Sequence, residues 1–206
     1  GQIYESNAVL LAAAVRAAGG HAEVLRFVPD DVESLYAAIH PRLSTVDFLI
    51  TSGGVSAGAY EVVKDAFSGA GVRFYKVAMQ PGGPQGAGRY TADGARIPVI
   101  ALPGNPVSAL VSFEVFIRPA IRAALGHRVV ERERVRGRLR TGLRSIDGKR
   151  QYRRARYHAD TGELEPIGGP GGHLLSALAA SNCLLEIPEN VTELAAGDEI
   201  TALLLD

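Results

Sequence analysis

Three loops in this 206-residue chain combine residue types that could bind an anionic ligand through backbone N–H groups. The first, residues 51–58, reads TSGGVSAG, so that small residues leave its amides accessible and serine hydroxyls add donors. Such donors, with the N-terminus of the next helix behind them, are typical of a phosphate-binding loop. The Gly-Gly pair is equally typical of a tight strand-to-helix turn that needs positive φ. The loop by itself leaves both interpretations open, and it contains neither a Walker A nor a GxGxxG motif.

Two stiffer loops follow along the chain, residues 79–85 (MQPGGPQ) and residues 102–108 (LPGNPVS). Each contains two prolines, which fix φ and rigidify the backbone. All three loops come just after predicted strands, where an open α/β sheet has its ligand crevice. Rigid loops with accessible amides suit an extended planar ligand, although stiff connectors also serve to shorten a link, and Asn105 can simply stabilise its own turn. The convergence of the three loops indicates a binding site more strongly than any one loop.

Charged side chains accompany the first loop. Glu61 and Lys64 lie one helical turn apart at the start of the next predicted helix, so they share a face. They form either a surface ion pair, or a pair in which Lys64 binds an anionic substrate and Glu61 binds a metal ion or a water. Asp30 and Asp31 divide in the same way, between capping a helix and binding Mg²⁺ at the end of a strand. The five histidines and Cys183 show no metal-ligand spacing and are interpreted as structural.

Alternating helices and strands must position these loops, and the first part of the chain has that pattern. A first helix is predicted from Ser6 or Asn7 to the glycine pair that starts at Gly19, with helical spacing of Val9, Leu10, Ala13, Ala14 and Ala17. Further helices are predicted near residues 29–39, 60–68 and 107–125, and strands near residues 22–28, 46–51, 72–78, 86–91 and 97–102. Such alternation indicates a mainly parallel, doubly wound sheet.

The pattern changes after Gly126 to short alternating segments separated by turn signals, which predicts a small all-β unit with one short helix near residues 174–179. Residues 128–156 hold 12 basic and 3 acidic groups, whereas residues 157–206 hold none and 9. The arginines from Arg132 to Arg140 alternate, as on the solvated face of a strand. We therefore expect the two segments to complement each other in charge. Nucleic-acid binding by the basic segment is the last-ranked alternative, because few aromatic residues interleave with the arginines.

Composition limits the class of protein further. With 47% apolar and 21% charged residues, the chain has the composition of a globular protein with a sizeable core. Its longest apolar stretches fall short of the roughly 20 residues that span a bilayer, so no membrane partner is expected. A single cysteine permits no internal disulfide, and we expect a cytoplasmic location.

The three loops in this order resemble the MoeA family, the molybdopterin molybdenumtransferases, which are related to the gephyrin E domain. The string from Ser52 to Ser56 and on to Lys64 carries the resemblance, followed by residues 79–84 and 102–109. Residues 6–7 and 29–31 resemble early family signatures, and residues 184–197 (LLEIPENVTELAAG) resemble the closing β-barrel domain. The resemblance implies a three-layer α/β/α, MogA-like molybdopterin-binding domain at residues 1–127 and a small all-β barrel, similar to MoeA domain IV, at residues 128–206.

The resemblance also implies an enzyme of molybdenum cofactor biosynthesis that hydrolyses adenylylated molybdopterin and inserts molybdate into the dithiolene with Mg²⁺. It assigns catalytic roles to Glu61 and Lys64 and metal binding to Asp30 and Glu61. The residues it assigns to ligand binding are Asn7, Ser52, Gly53, Gly54, Val55, Ser56, Gly58, Pro81, Gly82, Pro103, Gly104, Asn105, Pro106 and Ser108.

The chain departs from the family pattern at three points. Glu61 stands where relatives usually have aspartate, and Gln80 and Gly83 stand where relatives often have lysine. Fewer positive charges in the second loop should weaken anion binding. Nothing here corresponds to the N-terminal domains of the family, so we expect a C-terminal portion of a longer protein that forms a homodimer. Its pathway partner would be a molybdopterin adenylyltransferase, and its other partners small-molecule substrates.

Two alternatives remain beside the molybdenumtransferase. A molybdopterin adenylyltransferase-like enzyme has a similar fold, but it usually has GGTG where this chain has residues 53–56, GGVS. A non-catalytic scaffold could use the same fold to bind pterin, to dimerise and to hold partner proteins.

Overall fold

A computed structural model describes residues 6–25, 31–55, 61–169 and 175–205 of the chain. Its contacts divide the chain into two compact units. The first unit comprises Gly1–Val77 and Gly82–Phe113, and the second comprises Ala78–Pro81 and Glu114–Asp206. The domain boundary after residue 127 stays a prediction. No helix of the described residues is long and apolar enough to cross a membrane.

Helices and strands alternate in the first unit, and strands dominate the second. The helices are α1 (Asn7–Ala17), α2 (Val32–Ile39), α3 (Val62–Phe67), α4 (Pro106–Ser112), α5 (Arg118–Ala124) and α6 (Leu175–Ala179), with a 3-10 turn at His40–Arg42 and a π turn at Phe113–Ile117. The strands are β1 (Leu49–Ser52), β2 (Val72–Lys76), β3 (Met79–Gln80), β4 (Pro84–Ala92), β5 (Ala95–Leu102), β6 (Arg134–Leu139), β7 (Leu143–Arg144), β8 (Arg150–His158), β9 (Glu163–Pro166), β10 (Cys183–Ile187), β11 (Glu193–Leu194) and β12 (Glu199–Leu204).

The first-unit sheet is mixed, with the strand order β1-β5-β4-β2. β1 runs parallel to β5, whereas β5 pairs antiparallel with β4 and β4 pairs antiparallel with β2. The prediction of a mainly parallel sheet was therefore wrong for the described strands. The physical reason is the two-residue turn between β4 and β5, in which Asp93 and Gly94 both have positive φ, 51° and 77°. Asp-Gly turns of this kind favour an antiparallel hairpin.

Two further differences concern the start of the chain. Residues 21–25 are not strand, and the rest of the strand predicted at residues 22–28 lies outside the described residues. In α1 the buried side chains are Asn7, Leu11, Ala12 and Val15, whereas Val9 is 64% exposed. The predicted helix forms, but the residues whose spacing predicted it are not the buried ones, because the helix is apolar almost all round and its sequence does not select one face.

The core of the first unit joins α2 and α3 to the sheet. Leu35 and Ile39 of α2 and Phe67 of α3 are buried together with Val99 of β5. Phe67 meets the ring of Tyr90 on β4 edge to face, with ring centroids 5.1 Å apart. Elsewhere in the unit α1 packs against α4, and α4 packs against β5. These contacts hold in place the strand ends that carry the first and third loops.

The second unit contains a closed barrel of five strands. The strands follow one another as β10-β12-β6-β9-β8, and β8 pairs with β10 to close the ring. Buried side chains fill it, among them Leu164, Leu185 and Ala202. β3 adds to the outside of β8, where Gln80 pairs with Gln151. Closure leaves the ring without free edges, and it confirms the predicted β-barrel.

Arginines on the barrel surface pair with carboxylates, as the charge distribution predicts. Gly137 and Leu139 of β6 are buried, and the arginines that alternate with them are exposed. The ion pairs between the basic and acidic segments are Arg134 with Glu186, Arg136 with Glu199, Arg140 with Glu163 and Glu165, Arg144 with Glu193, and Arg150 with Glu186 and Glu189. The predicted complementarity of the two segments is confirmed.

A buried carboxylate at the start of the second unit has a different character from these surface pairs. Glu114 is 5% exposed, and its two oxygens accept from Nε and Nη2 of Arg132 at 2.8 and 3.2 Å. The Nε atom of Arg118 lies 3.7 Å from the same carboxylate, and burial lowers the pKa of Arg118. Removing the carboxylate would leave two largely buried guanidinium groups without their counter-charge.

We therefore expect Glu114→Gln to lower the free energy of unfolding by about 3 kcal/mol, since breaking a buried pair leaves an uncompensated charge. Urea unfolding followed by circular dichroism measures the change. The matched control is Glu193→Gln, which removes an exposed carboxylate 4.0 Å from Arg144 and should leave the unfolding curve in place. Equal urea-unfolding curves for the two variants would contradict the conclusion that Glu114 compensates two largely buried arginines.

Candidate functional site

The first and third loops meet at two glycines. Because β1 and β5 are adjacent and parallel, their carboxyl ends lie at the same edge of the sheet. The Gly53 N–H donates to the Leu102 carbonyl at 3.0 Å, which extends the pairing beyond the strand ends. A Cβ atom on Gly104 would lie 3.3 Å from the Gly53 Cα. Glycine at position 104 therefore lets the two loops approach at backbone distance.

The glycine pair of the first loop is also required by the turn into α3. Gly53 and Gly54 have φ of 88° and 66°, and a Cβ atom on Gly54 would lie 3.2 Å from the backbone N of Val63. Ser52 at the end of β1 is partly exposed, whereas Val55 is buried. Two further predicted ligand residues, Ser56 and Gly58, lie outside the described residues.

Asn7 connects α1 to the third loop. Its Nδ2 atom donates to the Gly104 carbonyl at 2.8 Å, and the residue is 7% exposed. That bond fixes the orientation of the amide, and Oδ1 has no hydrogen-bond partner in the described part of the chain. Buried acceptors without a partner are rare, and either an ordered water or the donor of a bound ligand would satisfy this one. The structure therefore places the predicted residue Asn7 beside Gly104 and leaves its Oδ1 atom without a partner among the described residues.

Thr51 was predicted to lie in the first loop, but it was not assigned to ligand binding. Its Oγ1 atom is buried without a hydrogen-bond partner among the described residues. Thr51 lies in β1 opposite Ala101 of β5, immediately before Ser52. The signal that could have found it is a hydroxyl-bearing residue at the carboxyl end of a parallel strand, next to a glycine turn.

Within the third loop, Asn105 and Ser108 interact with each other. Asn105 Oδ1 accepts from the Ser108 N–H at 3.0 Å and from the Ser108 hydroxyl at 3.3 Å, which caps α4. Pro106 occupies the first turn of that helix, where its missing N–H is not needed. Pro103 is buried and Gly104 is exposed. The loop thus presents the backbone of Gly104, and the turn-stabilising interpretation of Asn105 is the one that its contacts support.

The second loop is divided between the two units. Pro81, which follows a cis peptide bond, belongs to the second unit and Gly82 to the first. The Gly82 carbonyl accepts from Gln85 Nε2 at 2.7 Å, and the same Nε2 donates to the Ser112 hydroxyl at 3.0 Å. Gly82 is therefore fixed to α4 through a buried amide. No local pattern in the sequence predicts this role for Gln85.

Glu61 and Lys64 form an ion pair at the start of α3. Lys64 Nζ lies 2.7 Å from Glu61 Oε2, and the side chains are 42% and 19% exposed. Asp31 caps α2 by accepting from the Ser34 N–H at 2.7 Å, and this hydrogen bond lowers the pKa of Asp31. Asp30 lies outside the described residues. The catalytic and metal-binding roles of Glu61, Lys64 and Asp30 stay predictions.

The described residues do not by themselves assemble a magnesium site. No group of three or more His, Cys, Asp or Glu residues among them is arranged to hold a metal ion. Of the two predicted ligands, only Glu61 is described, and its carboxylate is paired with Lys64. Mg²⁺ usually needs carboxylate oxygens with waters or substrate phosphates in octahedral geometry.

Comparison with known proteins gives consistent matches over the whole chain. Residues 1–123 match the model of a probable molybdopterin binding domain, and residues 136–205 match that of the MoeA C-terminal region, domain IV. Molybdopterin molybdenumtransferase 2 of Mycobacterium tuberculosis (strain CDC 1551 / Oshkosh) is 51% identical over 97% of this chain and 50% of that protein. Molybdopterin molybdenumtransferase 1 of the same strain is 36% identical over 100% of this chain and 50% of that protein.

The fold agrees with these sequence matches. A solved structure of the molybdopterin biosynthesis MoeA protein from Pyrococcus horikosii superposes with a TM-score of 0.80 and 28% identity, over 100% of this chain and 49% of that chain. The chain spans about half the length of the relatives that it matches. The predicted fold class, a three-layer α/β/α MogA-like domain followed by a small all-β barrel domain, is confirmed by these matches.

The contact between the two glycine loops can be tested without a ligand. We expect Gly104→Ala to lower the free energy of unfolding by about 1–2 kcal/mol, because the new methyl group meets the Gly53 backbone, which cannot turn aside as a side chain can. Gly169→Ala is the matched control, since a Cβ atom there meets nothing within 4 Å. Urea unfolding measures both variants, and an unchanged midpoint for Gly104→Ala would contradict the close approach.

Proposed function

Because the chain belongs to the MoeA family of molybdopterin molybdenumtransferases, we propose that it carries the molybdopterin-binding part of such an enzyme. The proposed reaction is the hydrolysis of adenylylated molybdopterin and the insertion of molybdate into its dithiolene, a step of molybdenum cofactor biosynthesis. Molybdopterin and molybdate are substrates in this proposal. The two curated relatives described above are named for the same transferase activity.

The observation that carries the proposal is the junction of the first and third loops. Gly53 and Gly104 approach at backbone distance, Gly104 is exposed, and the buried Asn7 amide beside it keeps an unpartnered acceptor. The pterin ring of molybdopterin has N–H and amino donors that suit such an acceptor. The phosphate group of molybdopterin suits backbone N–H groups at a glycine loop. The proposal places the ligand of the first unit at this junction.

Lys64 and Glu61 supply the charges for the chemistry. Lys64 would offset negative charge on the phosphate, since its partly exposed ammonium can exchange the Glu61 carboxylate for the ligand. Glu61 would orient a water for hydrolysis of the adenylyl group. We propose that the reaction requires Mg²⁺, as the resemblance to the family implies.

The match of residues 136–205 to MoeA domain IV favours the transferase over an adenylyltransferase-like enzyme. A molybdopterin adenylyltransferase would supply the adenylylated substrate. We further propose that the longer protein acts as a homodimer in the cytoplasm. A non-catalytic scaffold, which could also bind pterin, is the alternative, and hydrolysis of adenylylated molybdopterin by the full-length protein separates the transferase from it.

The test is titration calorimetry of the chain with adenylylated molybdopterin, with and without Mg²⁺ and molybdate. We expect saturable binding by the wild-type chain and a dissociation constant raised about tenfold in Lys64→Ala, which loses one charge-assisted contact. Lys76→Ala removes the same charge from an exposed position on β2 and should bind as the wild type does.

Absence of binding by a folded wild-type chain would contradict the proposed site in this chain. Repeating the titration with the full-length protein then separates a site that needs further domains from a protein that does not bind pterin. Equal weakening in Lys64→Ala and Lys76→Ala would indicate a general effect of charge and would contradict the role of Lys64.

A further inference from the structure

A chain of polar side chains runs through the first unit from its surface to α3. Asp93, in the turn between β4 and β5, places Oδ2 3.1 Å from Nδ1 of His40. Nε2 of the same imidazole lies 2.9 Å from the Tyr90 hydroxyl. Asp93 is exposed, His40 is partly exposed and Tyr90 is 6% exposed. The contacts therefore lead inward from a surface carboxylate to a buried phenol.

The direction of each hydrogen bond follows from what the groups can donate. A carboxylate only accepts, so Nδ1 of His40 carries the proton that faces Asp93. In a neutral imidazole Nε2 is then the acceptor, and Tyr90 donates to it. Burial raises the pKa of Tyr90, with a smaller contribution from Tyr36, so this hydroxyl keeps its proton near neutral pH. His40 is thus held in one tautomer and one orientation.

Tyr36 on α2 continues the chain to α3. Its ring stacks on that of Tyr90, with centroids 5.9 Å apart and planes inclined by 12°. Its hydroxyl donates to the carbonyl of Ala66 in the last turn of α3. The N–H of Ala70, four residues on, bonds instead to the Phe67 carbonyl at 3.1 Å. A phenol of α2 therefore caps a helix-end carbonyl of α3.

α3 is a short helix that depends on such external contacts. It has six residues, and Glu61 at its N-cap makes no side-chain capping bond. Helices this short are unstable on their own and take their stability from packing. Lys64 is part of the same short segment, two residues before Ala66, and its carbonyl accepts from the Ser68 N–H at 2.8 Å. Movement of the last turn would displace the backbone of Lys64 directly.

We propose that Tyr36 is a positioning residue, which Tyr90, His40 and Asp93 hold in place so that its bond to Ala66 fixes α3 and with it the Lys64 ammonium. The role of Lys64 in ligand binding rests on the proposed function. The positioning of α3 does not rest on it, and the experiment separates the two.

The first arm measures amide hydrogen exchange in Tyr36→Phe, which keeps the ring and removes the hydroxyl. We expect exchange at the amides of Phe67 and Ser68 to become about fivefold faster, the effect of losing one ordinary hydrogen bond. Amides of β5 should be unchanged. Tyr75→Phe, which removes a hydroxyl from a 52% exposed tyrosine, is the matched control.

A second variant tests the outer part of the chain. Asp93→Asn keeps a residue type that tolerates positive φ and removes the charge that orients His40. We expect a smaller acceleration, about twofold, at the same α3 amides. Unchanged α3 exchange in Tyr36→Phe, or equal acceleration across α3 and β5, would overturn the positioning role.

The second arm uses the titration with adenylylated molybdopterin in a double-mutant cycle. Tyr36→Phe should raise the dissociation constant about threefold in the wild-type background and leave it unchanged beside Lys64→Ala, because Tyr36 acts through Lys64. A threefold effect in both backgrounds would contradict that route. If the wild-type chain does not bind, the proposed function fails, while the exchange arm still decides whether Tyr36 positions α3.

Discussion

The close approach of Gly53 and Gly104 is the constraint on which the candidate site depends. Parallel pairing of β1 with β5 brings the two loops to one edge of the sheet, and the Gly53 N–H bond to the Leu102 carbonyl holds them there. Any side chain at position 104 would press on the Gly53 backbone. Asn7 then closes the junction from α1 and is left with a buried acceptor. The contact between Gly53 and Gly104 therefore determines the shape of the candidate site, and Asn7 adds a polar group to it.

The second unit combines a closed barrel with a charged surface. Its five-stranded ring has no free edge, and three of its surface arginines, Arg134, Arg140 and Arg150, pair with acidic residues that follow them in the chain. Exposed pairs of this kind contribute little stability each, so the barrel depends on its apolar interior. The buried Glu114 is the exception, because two largely buried arginines face its carboxylate. Arginine–glutamate pairs thus contribute little to stability on the surface, whereas the buried pair at Glu114 is costly to break.

Local signals in the sequence predicted much of this structure. Capping at Asp31 and Asn105, the turn glycines, the all-β character of the second unit and the complementary charges all follow from nearest-neighbour chemistry or from period-two patterning. The Asp93-Gly94 turn was equally visible, and giving it full weight would have predicted the antiparallel hairpin that makes the sheet mixed. Family resemblance added the fold of both domains, which the comparisons confirm.

The remaining features depend on contacts between residues distant in sequence. Nothing near Tyr36 in the chain indicates that its hydroxyl caps Ala66, thirty positions away. The partners of Glu114 and the unpartnered Thr51 hydroxyl are likewise set by packing. The apolar face of α1 was ambiguous because the helix has few polar residues to mark its exposed side. Tertiary packing, rather than local preference, decides such positions.

NMR mapping of the backbone amides during titration with adenylylated molybdopterin tests most directly whether the ligand binds where the first and third loops meet. We expect the signals of Gly53 and Gly54 in the first loop and of Gly104 in the third loop to shift together, with one saturation curve. Saturable binding that shifts only amides of the barrel, and leaves both glycine loops unchanged, would contradict this expectation.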